Sequence, residues 1–171
     1  GGVGKTTLAE MVYNDCRVQK HFELKMWHCV SKNFRATDVV RSIIELATVE
    51  PCDLPDTIEL LRRRLQGVIG RKRFLLILDD VWNEEQQKWE DYLRPVLCTC
   101  IGGSGSMIVV TSQSRQVASI MGTLPLYELA CLSEHESWEL FSKKAFNRLQ
   151  KQDELILIGK CVVNMCKGLP L

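Results

Sequence analysis

Gly1-Gly2-Val3-Gly4-Lys5-Thr6-Thr7 opens the chain, and Leu75-Leu76-Ile77-Leu78-Asp79-Asp80 follows about seventy residues later. Read together, these two stretches decide the fold. The first ends in Gly-Lys-Thr, the right-hand half of the phosphate-loop pattern G-x4-G-K-[ST]. Glycines there let backbone N–H groups turn inward around phosphate, and the helix that follows points its positive end at the same place. In that reading Gly1, Gly2, Val3, Gly4, Lys5, Thr6 and Thr7 contact the nucleotide. Lys5 pairs with the β- and γ-phosphates, and the Thr6 hydroxyl binds Mg²⁺. Taken alone, the stretch also fits a glycine-rich helix start with an exposed lysine. The second stretch is a hydrophobic strand that delivers two acids at its C-terminal end, where α/β sheets place their ligands. Asp79 is positioned to hold Mg²⁺ and Asp80 to act as general base on the attacking water. Two acids could instead cap the next turn, but both elements in this order favour a nucleotide site.

Working outward, helical and strand patterns alternate. Residues 5–14 read as a helix with Leu8, Met11 and Val12 on one face, and residues 22–31 as a strand. Thr37 and Asp56 are candidate N-caps for two further helices carrying Val39, Val40, Ile43 and Ile44, and Leu61, Leu65, Val68 and Ile69. Residues 73–79 read as a strand buried on both faces. A helix is expected around residues 89–97, a glycine-rich linker over 102–105, and a second buried strand over 107–111. A short helix over 115–121 and a third short strand over 126–129 complete the pattern. The expected fold is an α/β, three-layer P-loop NTPase with a mainly parallel sheet that lacks its first strand. After residue 132 the strand signal stops. Ser133-Glu134-His135-Glu136 has the form of a capping box, and a second helical stretch ends at Gly168 before Pro170. The expected division is therefore a nucleotide-binding domain over 1–131 and the start of an all-α subdomain over 132–171.

The 171 residues carry 22 basic and 21 acidic side chains, a formal net charge of +1. No whole-surface field draws such a chain to nucleic acid or anionic lipid. Its apolar runs fall far short of the roughly 20 residues of a membrane helix. Eight cysteines without paired C-x2-C spacing, and three separated histidines, argue against zinc. Cys29, Cys161 and Cys166 lie inside apolar patterns and read as free buried thiols of a reducing, cytoplasmic compartment.

Gly1 through Leu8, the run Leu76-Ile77-Leu78-Asp79-Asp80-Val81-Trp82 and the terminal Gly168-Leu169-Pro170-Leu171 together resemble the NB-ARC domain of plant disease-resistance proteins. Residues 22–31 agree, as do Leu132-Ser133, the Trp138-Glu139-Leu140-Phe141 block and Ala145-Phe146. The resemblance spans essentially the whole chain, and Trp82 looks like the coiled-coil subclass. It implies an ADP/ATP switch of an intracellular immune receptor that hydrolyses ATP slowly. Pro170 would lie against the nucleotide, and Thr111 would sit in the sensor segment. The implied partners are coiled-coil and leucine-rich-repeat domains outside this sequence, with self-oligomerisation on activation and no nucleic acid or membrane. Arg73 would approach the nucleotide if it matches an arginine that family members often carry before the acidic strand.

One position departs from the family. The sensor segment, usually T-T-R, here reads Thr111-Ser112-Gln113, so the sensor arginine falls on Gln113. Two alternatives stay open: a degenerate scaffold or pseudogene fragment that does not switch, and a generic P-loop kinase. A GTPase lacks support because the chain has no N-K-x-D motif. The sequence begins inside its phosphate loop, without Met, and ends inside the G-L-P-L motif. It therefore reads as a fragment, with any targeting segment upstream. Without the supporting strand the loop is not held in shape, so the isolated chain is expected to bind ADP more weakly than micromolar, which titration with a fluorescent ADP measures directly.

Overall fold

A computed structural model describes residues 2–32, 34–82, 94–99, 103–146 and 153–170. In chain order the elements are α1 (Lys5–Asn14), α2 (Cys16–His21), β1 (Leu24–Cys29), α3 (Ala36–Thr48), α4 (Ile58–Ile69), β2 (Phe74–Val81), α5 (Arg94–Thr99), β3 (Met107–Ser112), α6 (Arg115–Met121), α7 (Glu134–Ala145) and α8 (Asp153–Cys166). The helix expected around 89–97 lies outside the described residues up to position 93, as do Trp89, Gly1, Leu171, Cys100 and Gly102. The chain divides into two compact units: Thr6–Leu126, and Tyr127–Leu171 together with Gly1–Lys5.

In the first unit three strands pair in the order β1-β2-β3, all parallel. β2 is central, and its residues from Phe74 to Asp79 are all buried, as a doubly covered parallel strand requires. Successive side chains of a strand face opposite ways, and β2 divides accordingly. Phe74, Leu76 and Leu78 join Met26, Val39, Val40, Ile43, Ile44, Leu61, Leu65, Val68, Ile69 and Val117 in one core. Leu75 and Ile77 meet Ala9 of α1 on the other face, with Tyr13, Phe22 and Trp27 packed around them. Helices thus cover both faces of the sheet, a three-layer α/β arrangement.

Several sequence expectations shift. α3 begins at Ala36, so Thr37 sits in its first turn and Arg35 is the N-cap. Asp56 precedes the α4 N-cap, Thr57, by one residue. Its carboxylate is engaged by Arg41 at 2.6 Å and Arg35 at 3.1 Å instead, because charge-assisted bonds outcompete a cap. The Arg41 bond holds the Asp56 carboxyl below its ordinary value. Helix α2, entered through an Asp15 cap on the Arg17 N–H, was not foreseen. Residues 126–129 form no strand; Leu126 and Tyr127 are exposed, with no ladder beside them among the described residues. On α1 the buried residue is Ala9, while Leu8, Met11 and Val12 are exposed. Among the described residues, Cys16, Cys29, Cys131 and Cys161 are free and exposed, and Cys52 and Cys166 are free and half-buried. Apolar spacing locates an element more reliably than it selects the covered face.

In the second unit, Ser133 and Glu136 close the anticipated capping box. The Ser133 N–H donates to Glu136 Oε2 at 2.8 Å, and the Glu136 N–H donates to Ser133 Oγ at 3.2 Å. Trp138 stacks on Phe141 at 6.0 Å between centroids, and Phe146 abuts both rings. Gly159 of α8 lets these rings approach. A Cβ there would stand 2.7 Å from Phe141 and 3.1 Å from Trp138. Gly159→Ala is therefore expected to destabilise the α7–α8 pair by about 1–3 kcal/mol, read as a lower thermal midpoint.

A second expectation comes from His28 on β1, whose Nδ1 lies 2.9 Å from the Ser42 hydroxyl on α3. Burial pushes its imidazole below the ordinary value. The unfolded chain then binds the proton more readily than the folded one. Stability is intact above the ordinary value of about 6.5 and falls as the pH drops through it toward the lower folded value. Urea midpoints at pH 7.5 and 5.5 should differ in that sense, and His28→Gln should remove the part that His28 contributes.

Candidate functional site

The C-terminal end of β2 is where the sheet gathers its polar groups. β1 runs alongside as far as Cys29, opposite Asp79. β3 pairs with β2 through Leu78, then slips at a bulge before Val81 meets Ser112. Bulges re-aim side chains beside active sites, and the residues inside this one are the two acids. Asp79 is only 4% exposed. A buried carboxylate requires hydrogen-bond donors, and two threonines supply them. The Thr6 hydroxyl stands 3.2 and 3.1 Å from the two Asp79 oxygens. The Thr111 hydroxyl donates to Asp79 Oδ1 at 2.5 Å. The same Thr111 oxygen accepts the Asp80 N–H at 2.9 Å. Residues about seventy and thirty positions from Asp79 thus meet on one carboxylate.

Asp80 differs from its neighbour. Its φ of 55° is left-handed, an uncommon setting for a non-glycine residue. Its carboxylate accepts the Trp82 indole N–H at 2.8 Å. Sequence reasoning did not foresee this contact, because Trp82 lies just past β2 and Asp80 sits in the bulge, where strand alternation no longer tells which side chains meet. The role expected of Thr111 also acquires a local content, since it bridges the two acids.

In the other unit, Gly2 and Gly4 have φ of 84° and 92°, values that glycine alone adopts at little cost. Val3 between them is half-buried, and Lys5 is the first residue of α1. Thr7 is exposed in that helix's first turn. Pro170 Cγ lies 3.7 Å from where a Cβ on Gly4 would be. Gln113 is exposed immediately after β3. Arg115 is the first residue of α6, behind the Ser114 cap.

Comparison with known proteins shows the family. The NB-ARC domain family matches residues 1–151. The chain belongs to the NB-ARC family. Disease resistance protein RGA2 of Solanum bulbocastanum is 44% identical over the whole of this chain, which spans 17% of that protein's length. Putative disease resistance protein RGA1 of the same species is 43% identical, again with the whole chain covering 17%. Disease resistance protein RPP13 of Arabidopsis thaliana is 34% identical over the whole chain, which covers 21% of it. This NB-ARC chain is therefore similar to one nucleotide-binding module within much longer disease-resistance proteins.

One expectation drawn from the family resemblance is corrected. Arg73 precedes the first residue of β2, six residues and roughly 20 Å of extended strand from Asp79. Its guanidinium donates to the Ser104 carbonyl at 3.1 Å, closing the opposite end of the sheet. Arg63 and Arg64 of α4, and Arg71 and Lys72 of the following turn, are exposed, while Arg62 and Arg73 are half-buried. Among the described residues, no helix is long and apolar enough to cross a membrane.

The donor set around Asp79 is all oxygen. Magnesium is commonly held by one or two carboxylates plus phosphate oxygens, without a protein cage, and the Thr6 hydroxyl beside the Asp79 carboxylate fits that pattern. Thr111→Val should remove one donor from Asp79 and strand the Asp80 N–H. The expected cost is about 1–3 kcal/mol by urea unfolding, with Thr111→Ser close to the parent.

Proposed function

We propose that this chain is the ADP/ATP switch module of a plant immune receptor, reset by slow ATP hydrolysis. The observation that carries the reading is the convergence of the Thr6 and Thr111 hydroxyls on the buried Asp79 carboxylate. In a phosphate-loop protein, a hydroxyl from the loop helix and an acid from a strand end together hold the cation that accompanies the nucleotide's phosphates. Thr6 and Asp79 would hold Mg²⁺, which when bound neutralises charge on the phosphates. Gly1, Gly2, Val3, Gly4 and Thr7 would line the phosphate loop, Lys5 would pair with the β- and γ-phosphates, and Asp80 would take the proton of the attacking water. Pro170, seated near Gly4, would report the nucleotide to the helical subdomain. The coiled-coil and leucine-rich-repeat domains of the longer protein, and self-association on activation, complete the proposal.

A second reading, a scaffold that binds nucleotide without switching, is favoured by Gln113. A charge-assisted hydrogen bond to phosphate contributes about 1.5–3 kcal/mol. Inverting a two-state population takes about 5.5 kcal/mol of differential binding. An arginine at this position could thus supply a large share of γ-phosphate sensing, and glutamine cannot supply the charge. The two readings separate in the full-length protein. Lys5→Ala should weaken fluorescent-ADP binding at least tenfold, and unchanged binding would remove the nucleotide site altogether. Gln113→Arg should raise the preference for ATP over ADP by about tenfold or more, the factor that such a bond implies. Unchanged discrimination would show that Gln113 does not limit switching.

A further inference from the structure

We propose that Trp82 is a positioning residue for ATP hydrolysis, holding the Asp80 carboxylate in the orientation that accepts the proton of the attacking water. This rests on the reading of Asp80 as general base. Three observations carry it. First, Asp80 has a left-handed φ of 55°, and such a conformation persists in a non-glycine residue only where its surroundings over-determine it. Second, two contacts supply those surroundings: the Asp80 N–H is held by Thr111 Oγ1 at 2.9 Å, and its Oδ2 accepts the Trp82 indole N–H at 2.8 Å. Third, the indole is itself pinned, because the Lys32 ammonium sits 4.5 Å above its ring centroid. That stacking of a cation on an aromatic face is favourable.

The chemistry of the donor matters. An indole N–H donates and accepts nothing, so it can fix one carboxylate oxygen without competing for the proton in transit. Oδ1 is the oxygen without that bond. In the step proposed, the water oxygen bonds to the γ-phosphorus while the bond from that phosphorus to the β-bridging oxygen breaks. One water proton passes to Asp80 Oδ1, ADP leaves with the bond's electron pair, and the proton is later released to solvent. A carboxylate locked at Oδ2 and through its backbone N–H reaches this geometry with little orientational freedom left to lose. Trp82 is 39% exposed, so a role in filling the core explains its contacts poorly.

The test uses the full-length protein, with single-turnover ATP hydrolysis and fluorescent-ADP binding measured side by side. Trp82→Phe keeps the ring and removes the N–H. It should lower kcat by about tenfold or more, with KM and ADP affinity within about twofold of the parent. Adding Trp82→Phe to Asp80→Asn should cost nothing beyond Asp80→Asn alone, since the indole acts only through that carboxylate. Should Trp82→Phe fail to fold, Lys32→Met releases the ring from its cation and should lower kcat at least twofold, again without a change in KM. Trp82→Phe with parental kcat, a loss confined to KM, or a multiplicative double variant would each overturn the positioning role. Asp80→Asn turning over like the parent would instead overturn the general-base reading beneath it.

Discussion

The constraint on which the site depends is the burial of one carboxylate. Asp79 lies near the C-terminal end of the central strand β2 at 4% exposure, and a carboxylate so placed is costly unless donors surround it. Thr6 of α1 and Thr111 of β3 supply those donors. Satisfying Asp79 therefore ties the start of the loop helix and the end of β3 to the central strand. Thr111 extends the same arrangement to Asp80 by accepting its backbone N–H. What serves stability here also sets the positions of the groups that meet nucleotide in the proposed function.

Two acids that stand side by side in the chain consequently have different surroundings. Asp79 sits between hydroxyls in a buried setting, suited to binding a cation alongside phosphate. Asp80, turned through a left-handed residue at a bulge, faces an indole at the surface. A regular strand would send the two side chains to opposite faces of the sheet. The bulge instead divides them between a buried network and an accessible one, and this allows two roles in the proposed hydrolysis. Arg73, at the far end of the same strand, closes a loop and takes no part in either network.

Much of this was legible in the linear chain, for reasons that vary by residue. The apolar run of β2 announced its own burial because a strand covered on both faces has no polar alternation to preserve. The Ser133–Glu136 box was readable because its two hydrogen bonds are local and residue-specific. Thr37 and Asp56 misled as caps because side-chain oxygens have several uses. Once Arg35 and Arg41 stood within reach, Asp56 took the stronger, charge-assisted bonds. The short run at 126–129 had the composition of a strand, but pairing is a property of two segments and cannot be read from one. Likewise, the apolar positions of α1 and the cysteines showed where elements lie without showing which face is covered.

The sequence by itself determined the class of site: a glycine-lysine-threonine loop, an acidic strand end and their order along the chain imply phosphate binding because few other chemistries need those residue types at that spacing. It also determined the alternation that makes the sheet parallel. Only the tertiary structure decided which groups meet: that Thr111 bridges the two acids, that Arg73 belongs to the other end of β2, and that the Trp82 indole bonds Asp80 while Lys32 stacks on its ring. The physical reason is the same each time. Motifs encode local backbone geometry and chemical type, which are carried residue by residue. A hydrogen bond between distant positions depends on strand register, a bulge and the direction of each side chain, and these exist only once the sheet has formed.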